Sequence, residues 1–249
     1  MVLIIKYKCI VSYDGYCFNG YQRQKHDKNT IQEVIENVLS TICKERITIY
    51  GSGRTDKHVH AYGQVFHFET DKKIPCKNLK KAMNEMLPLS IQIKGCCNVK
   101  DDFHARYSAH KKVYVYKIKN TDIKNVFENR YYSYIKENID INLLNEACKL
   151  FVGRHNFKNF TTNKIEEVES FDKTIYDVNV KQSKNKIEIT FYGSGFLRYQ
   201  VRMMVGALIV VSTKRKPIEF IAKLLKDNVD EKCSYKADPQ GLYLKKVIY

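Results

Sequence analysis

Apolar and polar residues alternate along several short stretches of the chain, and elsewhere apolar residues recur every three or four positions. Alternation is typical of half-buried strands, and the longer spacing is typical of amphipathic helices. The predicted strands cover residues 3–12, 46–50, 64–70, 90–99, 107–119, 131–135, 173–181, 186–192 and 242–248. The strands 173–181 and 186–192 are expected to form a hairpin around Lys184-Asn185. The predicted helices cover residues 79–86, 141–151, 197–211 and 217–226, together with a first helix that follows Thr30.

The sequence Thr30-Ile-Gln-Glu33 has the form of a capping box, in which side-chain oxygens bind free backbone N–H groups at a helix start. We therefore expect the first helix to begin there. Strands and helices follow one another in a similar mixed order in both halves of the chain. This order is typical of α+β proteins. It predicts two subdomains, residues 1–105 and 106–249, whose sheets are continuous.

The chain is strongly basic, since 43 Lys and Arg against 27 Asp and Glu give a formal charge of +16 at pH 7. A charge of this size indicates an anionic partner, either nucleic acid or an acidic membrane surface. Arg occurs only at positions 23, 46, 54, 106, 130, 154, 198, 202 and 215. Because the planar guanidinium binds phosphate and carboxylate groups through paired hydrogen bonds, these positions are the first candidates for specific contacts.

No run of about eighteen apolar residues occurs, and the longest, Met203 to Val211, is too short to span a membrane. The first residues lack the order of charged, apolar and small residues that is typical of a signal peptide. Cysteines occur at positions 9, 17, 43, 76, 96, 97, 148 and 233, with no Cys-x-x-Cys pair. We therefore expect a cytoplasmic protein with free thiols and no structural zinc.

The segment Gly51-Ser-Gly-Arg-Thr-Asp-Lys-His-Val-His60 is the densest group of candidate functional residues. Its glycines free the backbone at a strand end, so the loop can hold the Asp56 carboxylate and the Arg54 guanidinium at the rim of a sheet. A turn in which Asp56 caps its own backbone fits the pattern equally well. A P-loop fits poorly, because no Gly-Lys-Ser/Thr follows. His58 and His60 lack a nearby acidic or Cys partner for zinc.

The second candidate segment is Phe103-His-Ala-Arg-Tyr-Ser-Ala-His-Lys-Lys-Val-Tyr-Val-Tyr116. On a strand, Lys112, Tyr114 and Tyr116 share one face. Tyrosines beside basic residues suit the stacking of RNA bases. A half-buried strand whose tyrosines cover the core is the alternative interpretation.

The third candidate segment runs from Gly193 to Gly206 and includes Arg198 and Arg202. If the segment is helical, both arginines and Gly206 recur at every fourth residue and lie on one face. Apolar residues cover most of the remaining surface, so the helix is expected to be buried. Buried arginines are costly unless they meet a carboxylate or a phosphate. The pattern therefore indicates either a structural ion pair or a binding site.

Together these segments resemble the tRNA pseudouridine synthase A family, and the resemblance covers nearly the whole chain. Eight motifs carry it, in the family's order. They are Tyr13-Asp-Gly-Tyr-Cys-Phe-Asn-Gly-Tyr-Gln22, Gly53-Arg-Thr-Asp56, Asn84-x-x-Leu-Pro88, Phe103-His-Ala-Arg106, Phe151-x-Gly-x-His155, Gly195-Phe-Leu-Arg198, Val201-Arg202-x-Met-Val-Gly206 and Gly241-Leu-Tyr-Leu244.

The resemblance implies two similar ferredoxin/RRM-like subdomains that share a continuous mixed, mainly antiparallel sheet. Helices are expected on one side of this sheet and the active-site cleft on the other. The implied activity is the isomerisation of uridine to pseudouridine at positions 38, 39 and 40 of the tRNA anticodon stem-loop, without cofactor or metal. The implied partners are tRNA and a second copy of the chain, so a membrane surface loses its support.

The resemblance also implies roles for single residues. Asp56 aligns with the family's essential nucleophile, which attacks either the ribose C1′ or the uracil C6, and both alternatives remain open. Arg202 aligns with the basic partner of that Asp, and Tyr114 with the active-site Tyr that packs on the target base. The residues expected to contact RNA are Tyr114, Arg54, Arg106, Arg198 and His60.

One position departs from the family pattern beside the expected nucleophile. His58 stands where the family usually has Gly, which adopts backbone angles that His seldom does. His58 must then take an ordinary conformation or a strained one. Two alternatives to the implied function follow: a paralogue that modifies ribosomal RNA or another tRNA site, and a tRNA-binding or tRNA-folding protein that has lost catalysis.

Overall fold

The structure is a computed structural model that describes residues 4–249, so Leu3, the first residue of the predicted strand 3–12, lies outside the described residues. The strands are β1 Ile5–Tyr13, β2 Tyr50–Gly51, β3 His60–Thr70, β4 Ile91–Asn98, β5 Lys111–Asn120, β6 Ser133–Ile135, β7 Gly153–Asn156, β8 Asp172–Ser183, β9 Lys186–Gly193 and β10 Leu242–Ile248. The α-helices are α1 Ile31–Cys43, α2 Cys76–Met86, α3 Ile141–Lys149, α4 Gln200–Ser212 and α5 Glu219–Leu224.

The chain divides into two compact units, and the first comprises the described residues up to His110 together with Tyr243–Tyr249. In this unit β1 pairs antiparallel with β3 and with β4, and the short β2 pairs antiparallel with β3. β10 pairs parallel with β3, with Tyr243 opposite His60. The C-terminal strand therefore belongs to the first unit, although it is the last element of the chain. Helix α2 packs on β4, and α1 packs on α2.

The second unit comprises Lys111–Leu242. Its strands follow the order β5-β9-β8-β7 with antiparallel pairing, and β6 pairs parallel with β5. Helix α4 is buried along its whole length, with α3 and α5 packed against it. Both units thus combine a mixed, mainly antiparallel sheet with helices, which confirms the predicted α+β class.

Two local predictions are confirmed by the backbone. The Thr30 hydroxyl accepts a hydrogen bond from the Glu33 backbone N–H at 3.3 Å, so α1 begins where the capping box places it. β8 and β9 form a hairpin that turns at Lys184, whose φ of 53° is left-handed.

The predicted strand at residues 46–50 is wrong, because only Tyr50 and Gly51 join the sheet. Side chains of α1 take the backbone N–H groups that a strand would pair. The Ile47 N–H donates to Ser40 Oγ at 2.9 Å, and the Ile49 N–H donates to Glu36 Oε1 at 3.0 Å. The segment is therefore held against the helix and not in a ladder.

Across the part of the chain that the structure describes, no helix combines the length and the apolar character needed to cross a membrane.

The segment Phe103-His-Ala-Arg106 closes the core of the first unit over β3. The backbone N–H of Ala105 donates to Nδ1 of His67 at 3.2 Å, and the Tyr249 hydroxyl donates to the Ala105 carbonyl at 2.7 Å. The buried ring of His67 lies 5.1 Å from the ring of Tyr50, between centroids. Burial, together with the positive charges of His104 and Lys6, lowers the pKa of His67 to about 4.

We expect the neutral, buried His67 to make the protein sensitive to acid. Below about pH 6.5 the unfolded chain binds a proton at this histidine, whereas the folded protein binds it only near pH 4. This histidine therefore lowers the free energy of unfolding by about 2 kcal/mol between pH 7 and pH 5. Chemical denaturation at both pH values measures this loss. His67→Asn, which offers an oxygen as the acceptor for Ala105, should lose about 2 kcal/mol less than the wild type. An equal loss in both proteins would contradict the prediction.

Candidate active site

Asp56 lies half-buried in the loop between β2 and β3, with Arg54 exposed beside it. Two buried side chains hold the first part of this loop. The Ser52 hydroxyl donates to Gln64 Oε1 at 2.6 Å, and the Gln64 amide donates to the Gly53 carbonyl at 2.9 Å. Because both ends of these bonds are buried or nearly so, the turn before Asp56 is fixed by the interior of the unit and not by solvent.

The segment that follows β1 holds the Asp56 loop from another side. The hydroxyls of Tyr13 and Thr55 are hydrogen-bonded at 2.8 Å, and the Tyr21 N–H donates to the Thr55 carbonyl at 3.0 Å. Gly20 has a φ of 99°, and a Cβ atom at this position would lie 3.3 Å from the Thr55 carbonyl oxygen. The two backbones thus lie in close contact, which explains why this glycine belongs to the motif.

His60 lies beneath the loop and is only 2% exposed. Its Nδ1 accepts a hydrogen bond from the Gly15 N–H at 3.1 Å, and its ring stacks on Tyr243 with 4.6 Å between centroids. A Cβ at Gly15 would lie 1.9 Å from the Val59 carbonyl oxygen, so this glycine too allows close packing on the loop. The sequence-based assignment of His60 to RNA contact does not fit this burial. We interpret His60 as a support of the loop.

His58 resolves the alternatives left by its departure from the family pattern, because its φ of 67° lies in the left-handed region. The loop therefore keeps a glycine-like backbone with a bulky side chain, at a cost in strain. The His58 ring packs on Tyr16 with 4.5 Å between centroids. Burial, reinforced by the charge of Lys57, lowers the pKa of His58 below its usual value of 6.5, so the ring is neutral at pH 7.

In the second unit, the predicted helix at residues 197–211 begins only at Gln200. Tyr199 precedes it with a φ of 61°, and a left-handed residue cannot continue a right-handed helix. The backbone of Arg198 is bound by the loop beside it: its N–H donates to Asn163 Oδ1, and its carbonyl accepts from the Thr161 hydroxyl, both at 2.9 Å. The expected helical face shared by Arg198 and the arginine of α4 is therefore wrong.

Arg202 lies in the first turn of α4 and is 8% exposed. Its Nε donates to the Ala237 carbonyl at 2.8 Å, while the Ala237 N–H donates to the Arg202 carbonyl at 2.9 Å. One turn further along the helix, a Cβ at Gly206 would lie 2.6 Å from the carbonyl carbon and oxygen of Tyr235. The segment 235–237 is therefore held tightly along α4.

Tyr114 lies on β5 and is 8% exposed, with its ring edge-on to Phe196 at 5.1 Å between centroids. Phe196 folds back over the end of β9, where a Cβ at Gly193 would lie 2.8 Å from its ring. Tyr116, two residues further along β5, is fully buried and donates to the Asp238 carbonyl at 2.8 Å. Burial raises the pKa of Tyr116, which belongs to the core.

The seven expected site residues divide between the two units. Asp56, Arg54, His60 and Arg106 belong to the first unit, and Tyr114, Arg198 and Arg202 belong to the second. Arg106 is exposed, with its guanidinium carbon 5.8 Å from the centroid of the neighbouring Tyr107 ring. Arg198 and Arg202 lie over one shared ring, that of Tyr199, at 5.1 and 5.3 Å.

The sequence interpretation did not identify Tyr199 and Lys236, whose ammonium lies 4.6 Å from the centroid of the Tyr199 ring. No local signal marks Tyr199, since a left-handed backbone is expected of Gly or Asn and not of Tyr. Lys236 lies between two motifs in an irregular segment. Within residues 4–249, no three His, Cys, Asp or Glu side chains are grouped so that they could hold a metal ion.

Comparison with known proteins shows the family to which these motifs belong. The sequence matches the family described as "tRNA pseudouridine synthase" over residues 9–108 and 147–249. These segments include Asp56 and Arg202, and Tyr114 lies between them.

Three relatives are similar over nearly their whole length. A tRNA pseudouridine synthase A of Phytoplasma mali is 37% identical over 244 residues, which cover 98% of each chain. Another, of Dictyoglomus thermophilum, is 40% identical over 253 residues, covering 99% of this chain and all of its own. A tRNA pseudouridine synthase A 2 of Clostridium perfringens is 37% identical over 242 residues, covering 97% of this chain and 98% of its own.

The left-handed backbone at His58 leads to a test of the loop. His58→Asn should keep the free energy of unfolding within about 0.5 kcal/mol, because Asn tolerates this conformation. His58→Val should lower it by about 1–2 kcal/mol more than His58→Asn, because a β-branched residue is strained there. Both variants lose the imidazole, so urea denaturation of the pair isolates the backbone effect. Equal stability of the two variants would show that the backbone at this position adapts to its residue.

Proposed function

The chain belongs to the tRNA pseudouridine synthase family, and on that premise we propose that it isomerises uridine to pseudouridine at positions 38, 39 and 40 of the tRNA anticodon stem-loop. The observation that carries the proposal is the Asp56 loop. A half-buried carboxylate follows an exposed arginine, and buried side chains and close glycine contacts fix the loop around them. Such a loop can present a carboxylate in one geometry, as covalent catalysis requires.

The proposed reaction rearranges bonds within one nucleotide. The bond between the ribose C1′ and the uracil N1 breaks, the uracil turns, and a bond forms between C1′ and C5. The proton on C5 leaves and N1 carries one in the product, so no atoms are gained or lost. The ionised carboxylate of Asp56 acts as the nucleophile at C1′ or C6. The uridine has to leave the base stack to reach it, at a cost of a few kcal/mol.

Three further residues have proposed roles at the target nucleotide. Arg202 balances the charge of the Asp56 carboxylate, which suits a guanidinium that is only 8% exposed on an apolar helix. Tyr114 packs on the uracil and assists the proton transfer at C5, and the ring of Phe196 packs against it edge to face. Arg54 occupies the exposed side of the loop and holds the nucleotide out of the stack.

The proposed partners are tRNA and a second copy of this chain, and the proposed location is the cytoplasm. A formal charge of +16, carried mostly by Lys, supports a sequence-independent attraction to the tRNA backbone. Three large apolar side chains, Ile123, Val126 and Phe127, are exposed within a few residues of one another. Exposed apolar groups of this kind are typical of protein interfaces, which supports a homodimer.

We expect Asp56→Asn to lose at least about a thousandfold in the rate of pseudouridine formation, because the amide cannot act as a nucleophile. Its affinity for tRNA should stay within about threefold of the wild type. Asp101→Asn removes an exposed carboxylate of the same unit and is the matched control, with unchanged activity expected. The measurement is a map of pseudouridine in tRNA incubated with each purified protein.

The same map separates the competing functions. If the wild type forms no pseudouridine in any tRNA but binds it, the chain is an RNA-binding protein without catalysis. If pseudouridine forms only in ribosomal RNA or at other tRNA positions, the chain is a paralogue with another target. Either result overturns the assignment to positions 38, 39 and 40.

Arg202→Leu tests whether the buried guanidinium serves the reaction or the binding of RNA. We expect the single-turnover rate to fall by about 10²–10³-fold, since a charge opposite the reacting groups is lost. The Kd for tRNA should change by less than about threefold. Equal losses in rate and affinity would identify Arg202 as a phosphate ligand instead. Arg202→Lys keeps the charge, and circular dichroism controls for the lost hydrogen bond to Ala237.

A further inference from the structure

Three cationic groups converge on the ring of Tyr199 in the second unit. The ammonium of Lys236 lies 4.6 Å from the ring centroid, and the guanidinium carbons of Arg198 and Arg202 lie 5.1 and 5.3 Å from it. Lys236 and Arg198 are exposed, and the ring itself is partly exposed. The group therefore combines a buried cation, two cations that solvent can reach and an aromatic ring.

The fold fixes the backbone that carries each exposed cation. Arg198 is held on both sides by Asn163 and Thr161, as described above. Lys236 lies between Tyr235, which packs on Gly206 of α4, and Ala237, whose backbone forms two hydrogen bonds with Arg202. The two side chains thus start from backbone that the fold holds in place near the Tyr199 ring, and they do not come from flexible tails.

Within residues 4–249, no ion pair involves Arg198 or Lys236. The charge of Arg198 acts on the carboxylate of Glu167, but only weakly. The pKa of Glu167 is lowered mainly by a hydrogen bond from the Asn163 side chain and by another from the Lys164 N–H, and Arg198 has a smaller effect. Like charges held together repel one another, so an anion between them is favoured.

We propose that Arg198 and Lys236, which both lie near the Tyr199 ring, bind a phosphate group of the RNA next to the target uridine. A planar guanidinium gives a phosphate two directed hydrogen bonds, and a lysine adds a compact charge on the other side. Flipping a nucleotide turns its backbone about the flanking phosphates, so a bound phosphate favours the flipped state. Placement next to the target follows from Arg202, which lies over the same ring, and in that respect the inference rests on the proposed function.

The test compares Lys236→Ala and Arg198→Ala with Lys181→Ala, which removes an exposed lysine of β8 in the same unit. Binding of tRNA is measured by fluorescence anisotropy over a range of KCl concentrations, and the single-turnover rate is measured at saturating tRNA. Lys236→Ala and Arg198→Ala, the clamp variants, should each weaken binding several-fold and reduce the slope of log Kd against log salt by about one. Each should also slow the single-turnover rate by about tenfold, whereas Lys181→Ala should leave that rate unchanged.

The double variant Arg198→Ala/Lys236→Ala shows whether both residues bind one phosphate. If they do, its loss of affinity is smaller than the product of the two single losses. Strictly multiplicative losses, or clamp variants that match Lys181→Ala in rate and salt dependence, would overturn the proposal. A wild type that forms no pseudouridine, combined with altered salt slopes in the clamp variants, would reject the proposed function and keep the phosphate site.

Discussion

The position of the Asp56 carboxylate depends on contacts between backbone atoms that only glycine allows. Gly15 and Gly20 bring the segment after β1 against the backbone of the Asp56 loop, at distances where any Cβ would collide or nearly so. Gln64 binds the loop from the interior, and Tyr13 binds Thr55 beside the carboxylate. A loop held in this way needs little reorganisation when a substrate arrives, which is the condition for efficient catalysis by a fixed charge.

In the second unit, a glycine contact and the guanidinium of Arg202 likewise hold an irregular segment in place. Gly206 allows the backbone of residues 235–237 to lie against α4, and Arg202 binds that backbone through its guanidinium and its own carbonyl. The arginine therefore serves the architecture as well as the proposed chemistry. In each unit, close glycine contacts and buried polar side chains fix an irregular segment in one conformation.

Sequence patterns predicted the α+β class, the start of α1 at Thr30 and the hairpin at Lys184, because each depends on local periodicity or on a single cap or turn. They did not predict contacts made across the fold. The N–H groups of residues 47 and 49 bind side chains of α1, so the expected strand is absent. The left-handed Tyr199 makes α4 begin at Gln200, three residues later than hydropathy alone predicts.

The candidate site was predicted only in part, because it too depends on contacts made across the fold. Motif residues such as Asp56 and Arg202 are recognisable by type and order, but the direction of a side chain depends on packing. His60 lies within a motif and points inward against Tyr243, whereas Lys236 lies in no motif and faces the Tyr199 ring. A motif therefore identifies a segment of functional importance without distinguishing the residues that support it from those that meet the substrate.

The contact at Gly206 has a consequence for how the protein can change over generations. The atoms opposite it belong to the main chain of Tyr235, and every amino acid has the same main-chain atoms. No replacement at residue 235 can make room for a side chain at residue 206. A larger residue at position 206 therefore cannot be compensated by a smaller one at position 235. A lineage that lost this glycine could recover only by altering the length or path of the chain between α5 and residue 235. Pairwise covariation would leave no trace of one of the tightest contacts in the unit.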